Sequence, residues 1–256
     1  MDYEGFKVQI LQLIGVDLSM YKQNQMKRRI DSLIQKFECR GYEEYLAILK
    51  RDSKVLDDFK SYITINVTEF YRNPMQWEVL KNSILPELVK KNNRLRIWSA
   101  ACSTGDEPYS IAMLIDSLFP MSQVEIVATD IDAQVLDKAR KGTYIEKNLC
   151  NIPEDYKEKY FTRQENEYLI SDHIKRYVNF KQHNLLKDPY PDNMDLIVCR
   201  NVLIYFTEEA KNDIYHRFSD ALSKDGILFV GSTEQIIMSQ EYGFESNKIF
   251  FYNKIN

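Results

Sequence analysis

Cysteine is sparse in this sequence and never closely paired. Cys39, Cys102, Cys150 and Cys199 stand far apart, with no Cys-x-x-Cys spacing. That argues against a zinc site and a disulfide framework, and it fits a reducing compartment. Histidine is scarce too: His173, His183 and His216 are the only three, and none sits in a motif. No apolar run approaches the roughly 20 residues of a membrane-spanning helix. The opening Met1-Asp2-Tyr3-Glu4-Gly5 lacks a basic segment leading into an apolar one, so no signal peptide is expected. Excess positive charge is also missing. A net charge of −4 gives no global attraction to nucleic acid or to an anionic membrane. There is no internal repeat and no low-complexity tract.

What is present changes character near residue 75. Before it, the apolar spacing is helical. Phe6, Ile10, Leu13 and Ile14 follow one stripe, and Met26, Ile30, Leu33, Ile34 and Phe37 another. Ser19 is a candidate cap for the second of these helices. A third helix is expected around Tyr42, Tyr45, Leu46 and Leu49, and a fourth from about Val55 to Ile63. Asn73-Pro74 reads as a fresh helix start, with Asn73 as cap.

Strands and helices then alternate. Strands are expected at Leu95–Ala100, Val124–Thr129, Asp195–Cys199, Ile227–Val230 and Ile249–Tyr252. Helices are expected at Tyr109–Phe119, Ala133–Lys141 and Thr207–Ser223. This order implies an α/β fold with a parallel sheet covered on both faces. Tyr160–Phe180, with its β-rich pieces Tyr168–Ile170 and Tyr177–Phe180, breaks the alternation and reads as a small insertion. The expected division is an all-α domain over 1–73 and an α/β domain over 74–256, with a small β subdomain at about 160–181.

Ligands of such sheets bind at the carboxyl ends of the strands. From Ile97 to Tyr109, an apolar strand runs into small residues, one glycine and a proline-bearing helix start. Small residues admit a ligand close to the backbone, and the helix start offers free N–H groups. A dinucleotide fingerprint has three glycines here. A single glycine disfavours a pyrophosphate and suits a nucleoside carrying an amino-acid tail. Asp130 ends the next strand, close to the expected spacing of roughly 20 residues, where a carboxylate accepts from ribose hydroxyls. The competing reading of Asp130 is a cap for the following helix.

Five strings in order resemble the CheR family, the chemotaxis receptor glutamate O-methyltransferases of the class I methyltransferase fold. They are Asn66-Val67-Thr68-Glu69-Phe70-Tyr71-Arg72, Trp98-Ser99-Ala100-Ala101-Cys102-Ser103-Thr104-Gly105-Asp106-Glu107-Pro108-Tyr109-Ser110, Ala128-Thr129-Asp130-Ile131-Asp132, Cys199-Arg200-Asn201-Val202-Leu203-Ile204-Tyr205-Phe206 and Gly231-Ser232-Thr233-Glu234. Asp106 departs from the pattern, where many relatives carry Glu, and the charge is kept. The resemblance covers nearly the whole chain. It implies a class I, Rossmann-like S-adenosylmethionine (SAM) methyltransferase sheet behind an all-α N-terminal domain that meets the receptor. It further implies SAM as cofactor, S-adenosylhomocysteine (SAH) as product, and no metal.

By that resemblance Asn66, Thr68 and Arg72 border the methionine end of SAM. Ala101 lines the turn, and Glu107 lies near the amino-acid moiety. Asp130 holds the ribose, Asn184 and Leu185 edge the adenine, and Arg200 and Asn201 close the pocket. Charge agrees in part: Arg72 or Arg200 suits the carboxylate of the tail, and Glu107 its ammonium. The plainer readings are helix caps for Asn66 and Thr68 and simple core for Leu185. Glu234 has no evident role.

A glutamate acceptor is already ionised at neutral pH, its ordinary pKa being about 4.3, so no general base is required. Arg72 and Tyr205 are the polar groups expected nearest the acceptor carboxylate. On the second helix, Arg28 lies opposite the apolar stripe with Lys27 and Arg29 on its flanks. These cations form a candidate surface for acidic receptor helices. The expected partner is the cytoplasmic coiled coil of a membrane chemoreceptor, met by a cytoplasmic monomer that binds no nucleic acid. By the same resemblance, some members dock a tethering peptide on the β insertion; Phe161–Phe180 looks shorter than theirs, so no such tether is expected here. Two alternatives stand: a methyltransferase of the same fold with another substrate, and a non-catalytic scaffold. A basic or aromatic platform, or an Asn-Pro-Pro-Tyr-type string, would favour the first, and neither is present. Loss of Arg72, Asp130 or Tyr205 would favour the second, and all three are retained.

Overall fold

A computed structural model describes residues 1–255. The chain divides into two compact units, one of Met1–Ile65 with Leu203–Asp213, the other of Asn66–Val202 with Ile214 onward. Asn66–Arg72, which the sequence reading places with the helical domain, therefore belongs to the second unit.

The first unit holds α1 (Tyr3–Ile14), α2 (Gln23–Lys36), α3 (Tyr42–Arg51) and α4 (Ser53–Thr64). The predicted stripes are what it buries. Phe6 and Ile10 of α1, Tyr45 and Leu49 of α3, and Phe59 and Ile63 of α4 are almost fully covered. Phe6 meets Phe59 edge-on at 6.3 Å, and Tyr45 meets Phe59 at 6.0 Å, an arrangement favoured by the ring quadrupoles. Asp2 caps α1 and Asp52 caps α4. Ser19 does not cap α2. It lies in a short 3-10 turn, Leu18–Met20, that Asp17 caps instead, and α2 begins after Lys22 with no side-chain cap. An Asp two residues upstream had the better geometry for the free N–H groups.

The second unit begins with an irregular segment and then α5 (Pro74–Val79), which continues through a π-helical turn into α6 (Leu85–Lys91). Asn73 stands at the cap position but in the left-handed region, and its side chain makes no capping bond. From there the order is β1 (Leu95–Ala100), α7 (Asp106–Asp116), β2 (Val124–Asp130), α8 (Ala133–Lys141), β3 (Thr143–Ile145), α9 (Glu154–Tyr160), β4 (Phe161–Gln164), β5 (Glu167–Ile170), α10 (Asp172–Lys175), β6 (Val178–Gln182), β7 (Met194–Cys199), α11 (Glu208–Ala221), β8 (Leu222–Val230), β9 (Phe244–Lys248) and β10 (Phe251–Lys254). The boundary between the units passes through α11.

Seven strands form one sheet in the order β6-β2-β1-β7-β8-β10-β9. The first five run parallel, and β10 is antiparallel to both neighbours. The sheet is thus mixed where a parallel one is expected. β1 and β7 are buried along nearly their whole length, as central parallel strands must be. Chain order reverses between them, so the crevice beyond their carboxyl ends is the topological switch point.

The insertion differs from its predicted extent. Its sheet is β3-β5-β4, antiparallel, and it starts at Thr143 rather than near 160. Tyr177–Phe180 does not belong to it. β6 pairs in parallel with β2 as the edge of the main sheet. An edge strand is half exposed, so Val178 and Phe180 alternate with exposed neighbours and lack the continuous apolar signature of its buried companions.

Candidate functional site

Five parallel strands deliver their carboxyl ends to one edge, and six of the predicted residues follow those ends. Ala101 follows β1, Asp130 ends β2, Asn184 and Leu185 lie just past β6, and Arg200 and Asn201 follow β7. The fold therefore gathers residues separated by a hundred positions.

The turn after β1 is strained. Ala101, Ser103 and Gly105 have φ of +63°, +48° and +88°. Only glycine adopts this region without penalty, and each of the other two costs on the order of 1–3 kcal/mol. A Cβ at Gly105 would come within 2.9 Å of the Ala139 Cβ, so that one position has no alternative to glycine. Asp130 holds the turn. Its carboxylate accepts from the Ser103 N–H at 2.8 Å and the Asp132 N–H at 3.0 Å. Burial pushes its pKa up to about 6, against the pull of those N–H groups. These bonds give Asp130 a role that neither sequence reading named: it ties the loops after β1 and β2 together. Asp132, not Asp130, caps α8, accepting from the Gln134 N–H at 2.9 Å. Asp132 also accepts from the Asn66 amide at 3.0 Å.

Asn66, Thr68 and Arg72 lie in a non-helical segment, so the reading of Asn66 and Thr68 as helix caps fails. The segment is anchored by Tyr71, whose N–H donates to the Ser110 Oγ at 3.2 Å, and by the Phe70 N–H, which donates to the Asn148 carbonyl at 3.2 Å. Arg72 is half-buried. Its side chain makes one hydrogen bond among the described residues, a long one of 3.4 Å to the Val67 carbonyl.

Arg200 is 7% exposed. It donates to the Arg72 carbonyl and to the Gln76 Oε1, each at 2.7 Å, and to the Asn73 Oδ1 at 3.3 Å. Its guanidinium lies over the Phe229 ring at 4.7 Å. Glu107 stands 3.6 Å from it and accepts from the Ser99 hydroxyl at 2.9 Å. Burial pushes Glu107 up to about 7, although Arg200 and Ser99 pull the other way. Arg200 is lowered from the ordinary arginine value, first by burial and then by the charge of Arg72. Arg200 thus feels one other guanidinium, the half-buried Arg72, and two buried carboxylates, Glu107 and Glu234.

Seven buried side-chain polar atoms lack a hydrogen-bond partner among the described residues, and two of them, Ser103 Oγ and Arg200 Nε, follow β1 and β7 at this edge. Buried donors are rarely left so. Their positions, one beside Glu107 and one on the turn after β1, fit a ligand with a zwitterionic tail and a polar sugar. SAM is such a ligand.

Past β6, Asn184 turns the chain by accepting from the Leu186 N–H at 2.9 Å, and Asp188 accepts from the Asn184 N–H at 2.8 Å. Leu185 is buried, and its carbonyl accepts from the Tyr190 hydroxyl at 2.8 Å. This closed loop lies beside Asp130, whose carbonyl accepts from the His183 N–H at 2.9 Å.

Tyr205 and the three cations belong to the first unit, apart from this set. Tyr205 ends a 3-10 turn, and its carbonyl accepts from the Lys22 N–H at 2.9 Å. The three cations are unlike one another. Lys27 pairs with Asp31 at 2.7 Å. Arg29 donates to the Tyr62 carbonyl and stacks on its ring at 4.4 Å. Arg28 is exposed.

Several contributors have no legible mark in the sequence. Gln76 and Asn73 hold Arg200, and nothing in their spacing announces it. Asn148 bridges from the insertion, donating to Asp106 at 3.3 Å while its carbonyl holds Phe70. Ser103 lies in the turn after β1, and its left-handed backbone leaves no mark in the sequence.

Comparison with known proteins agrees. Residues 66–250 match the family described as CheR methyltransferase, SAM binding domain, and residues 1–64 match CheR methyltransferase, all-alpha domain. A chemotaxis protein methyltransferase of Listeria innocua is 40% identical, over 99% of this chain and 97% of that protein. One of Borreliella burgdorferi is 36% identical over 87% and 83%, and one of Salmonella typhimurium 30% identical over 96% and 88%. A strained, glycine-poor turn at the switch point and a family match along nearly the whole chain lead to one conclusion: the chain belongs to the CheR methyltransferase family and carries its SAM-binding domain.

Proposed function

We propose that this protein methylates glutamate side-chain carboxylates on the cytoplasmic helices of chemoreceptors, forming glutamyl methyl esters, and that it acts as a cytoplasmic monomer. The observation that carries the reading is buried Arg200, 3.6 Å from Glu107 and bonded to the Arg72 carbonyl, inside a chain whose relatives are chemotaxis protein methyltransferases.

SAM, when bound, supplies an electrophilic methyl group. The chain's residues do the rest. Arg200 and Glu107 are matched to the carboxylate and ammonium of the amino-acid tail. Ser103 and Asp130 hold the turn that meets the nucleoside, and Leu185 offers an apolar edge beside it. Arg72, with few internal bonds, is able to turn toward the acceptor and orient its carboxylate. Orientation and exclusion of water are the main requirements of an in-line displacement by an ionised carboxylate. Over-strong pairing would weaken the nucleophile, so positioning is the role assigned to Arg72. Arg28, exposed on α2, leads the encounter with acidic receptor helices.

Arg72→Ala should lower methyl transfer by orders of magnitude with the fold intact, measured by labelled-methyl turnover alongside circular dichroism. Near-normal turnover would remove Arg72 from the site.

A further inference from the structure

Glu234 ends the string Gly231-Ser232-Thr233-Glu234 after β8 and is 5% exposed. A carboxylate so covered requires partners. A single oxygen, Oε2, accepts the Asn201 N–H at 2.5 Å and the Gly231 N–H at 2.9 Å. The Glu234 N–H in turn donates to the Gly231 carbonyl at 3.0 Å. The loop after β8 is thereby folded back on itself and tied to the loop after β7.

The glycine of that string has a matching reason. A Cβ on Gly231 would press on the Glu234 carboxylate and come within 2.9 Å of the Asn201 nitrogen. The absence of a side chain at 231 is what lets the carboxylate reach Asn201. Asn201 itself is held at φ +61°, a conformation that costs energy and persists only where neighbours impose it. Its immediate neighbour is Arg200.

We infer that Glu234 is a positioning residue for the methionine end of the cofactor, acting through the Asn201 backbone on Arg200. This rests on the assignment of the pocket to SAM. Glu234 holds the β7 turn in its strained form before any ligand arrives. Arg200 is then presented with its Nε open, and the tail carboxylate meets a preorganised guanidinium. Reach matters as much as charge here. An aspartate keeps the charge but is one methylene short of bridging two N–H groups on separate loops.

The test measures displacement of labelled SAM from wild-type protein, Glu234→Ala and Glu234→Asp, by two competitors. SAH carries the amino-acid tail, and 5′-methylthioadenosine lacks it. Both variants should lose about tenfold in affinity for SAH, which corresponds to about 1.4 kcal/mol. Affinity for 5′-methylthioadenosine should stay within about twofold. A purely structural role would weaken both competitors together, and that result overturns the inference. So does Glu234→Asp binding SAH as the wild type does, even if Glu234→Ala fails to fold. Failure of the wild type to bind SAM at all would instead overturn the assignment of the pocket, and this inference with it.

Discussion

Glu107 is subject to opposing pulls. Burial raises it to about 7, while Arg200 and Ser99 favour its ionised form. An ammonium arriving beside it would complete the ionisation. SAH binding near pH 6 should therefore release a proton, read by calorimetry in buffers of different ionisation enthalpy. The release should vanish in Glu107→Gln. A wild-type binding heat independent of buffer would place the ammonium elsewhere. At this scale the sequence was most legible where a residue type has few uses. A lone glycine, an acid at a strand end and an arginine at a strand mouth each pointed to the edge where they are found. Gln76, Asn148 and Ser103 were not legible, because an amide or hydroxyl becomes a positioning group only through neighbours distant in the chain. Asp130 was read as a ribose acceptor or a helix cap, and within the protein it holds the Ser103 and Asp132 N–H groups.

Among elements, α2 separates charge from availability. Lys27 is neutralised by Asp31, and Arg29 is held by Tyr62. Periodicity located these cations on the outer face but said nothing of their partners. Arg28→Glu alone should slow receptor methylation at low salt, with the difference fading as salt rises. The same reversal at Lys27 should alter the rate less. Equal rates for wild type and Arg28→Glu at low salt would discard α2 as the encounter surface. The insertion also reaches the site. The Tyr144 hydroxyl donates to the Thr104 carbonyl at 2.8 Å, and Asn148 reaches Asp106. Asn148→Ala should raise KM for SAM severalfold without unfolding the protein. An unchanged KM would make the insertion independent of the turn. Its extent was misjudged from sequence because β3 is only three residues long and β6 alternates as an edge strand does.

Across the whole molecule, the unliganded site costs stability as it ionises. Asp106 and Asp130 are raised to about 6 and Glu107 to about 7, chiefly by burial. A carboxyl raised on folding favours the folded state below its unfolded pKa of about 4, and that benefit is lost as pH rises through the folded value. Between about pH 4 and pH 7 these three groups therefore make the free protein progressively less stable. Glu107→Gln should raise the thermal midpoint relative to wild type at pH 8 and leave it nearly unchanged at pH 5. The same difference at both values would contradict the assignment. The order of strands and helices was largely legible, because buried parallel strands and amphipathic helices write distinct periods. The membership of Leu203–Asp213 in the first unit was not, since it depends on packing between segments far apart in the chain.

The claim on which everything else depends is carboxyl methylation of receptor glutamates. The direct measurement is transfer of labelled methyl from SAM to purified receptor fragments, followed by mild base. The label should be released as methanol and should be absent when the acceptor glutamates are replaced by alanine. Label that survives base, or no incorporation by a protein that binds SAM, would contradict it.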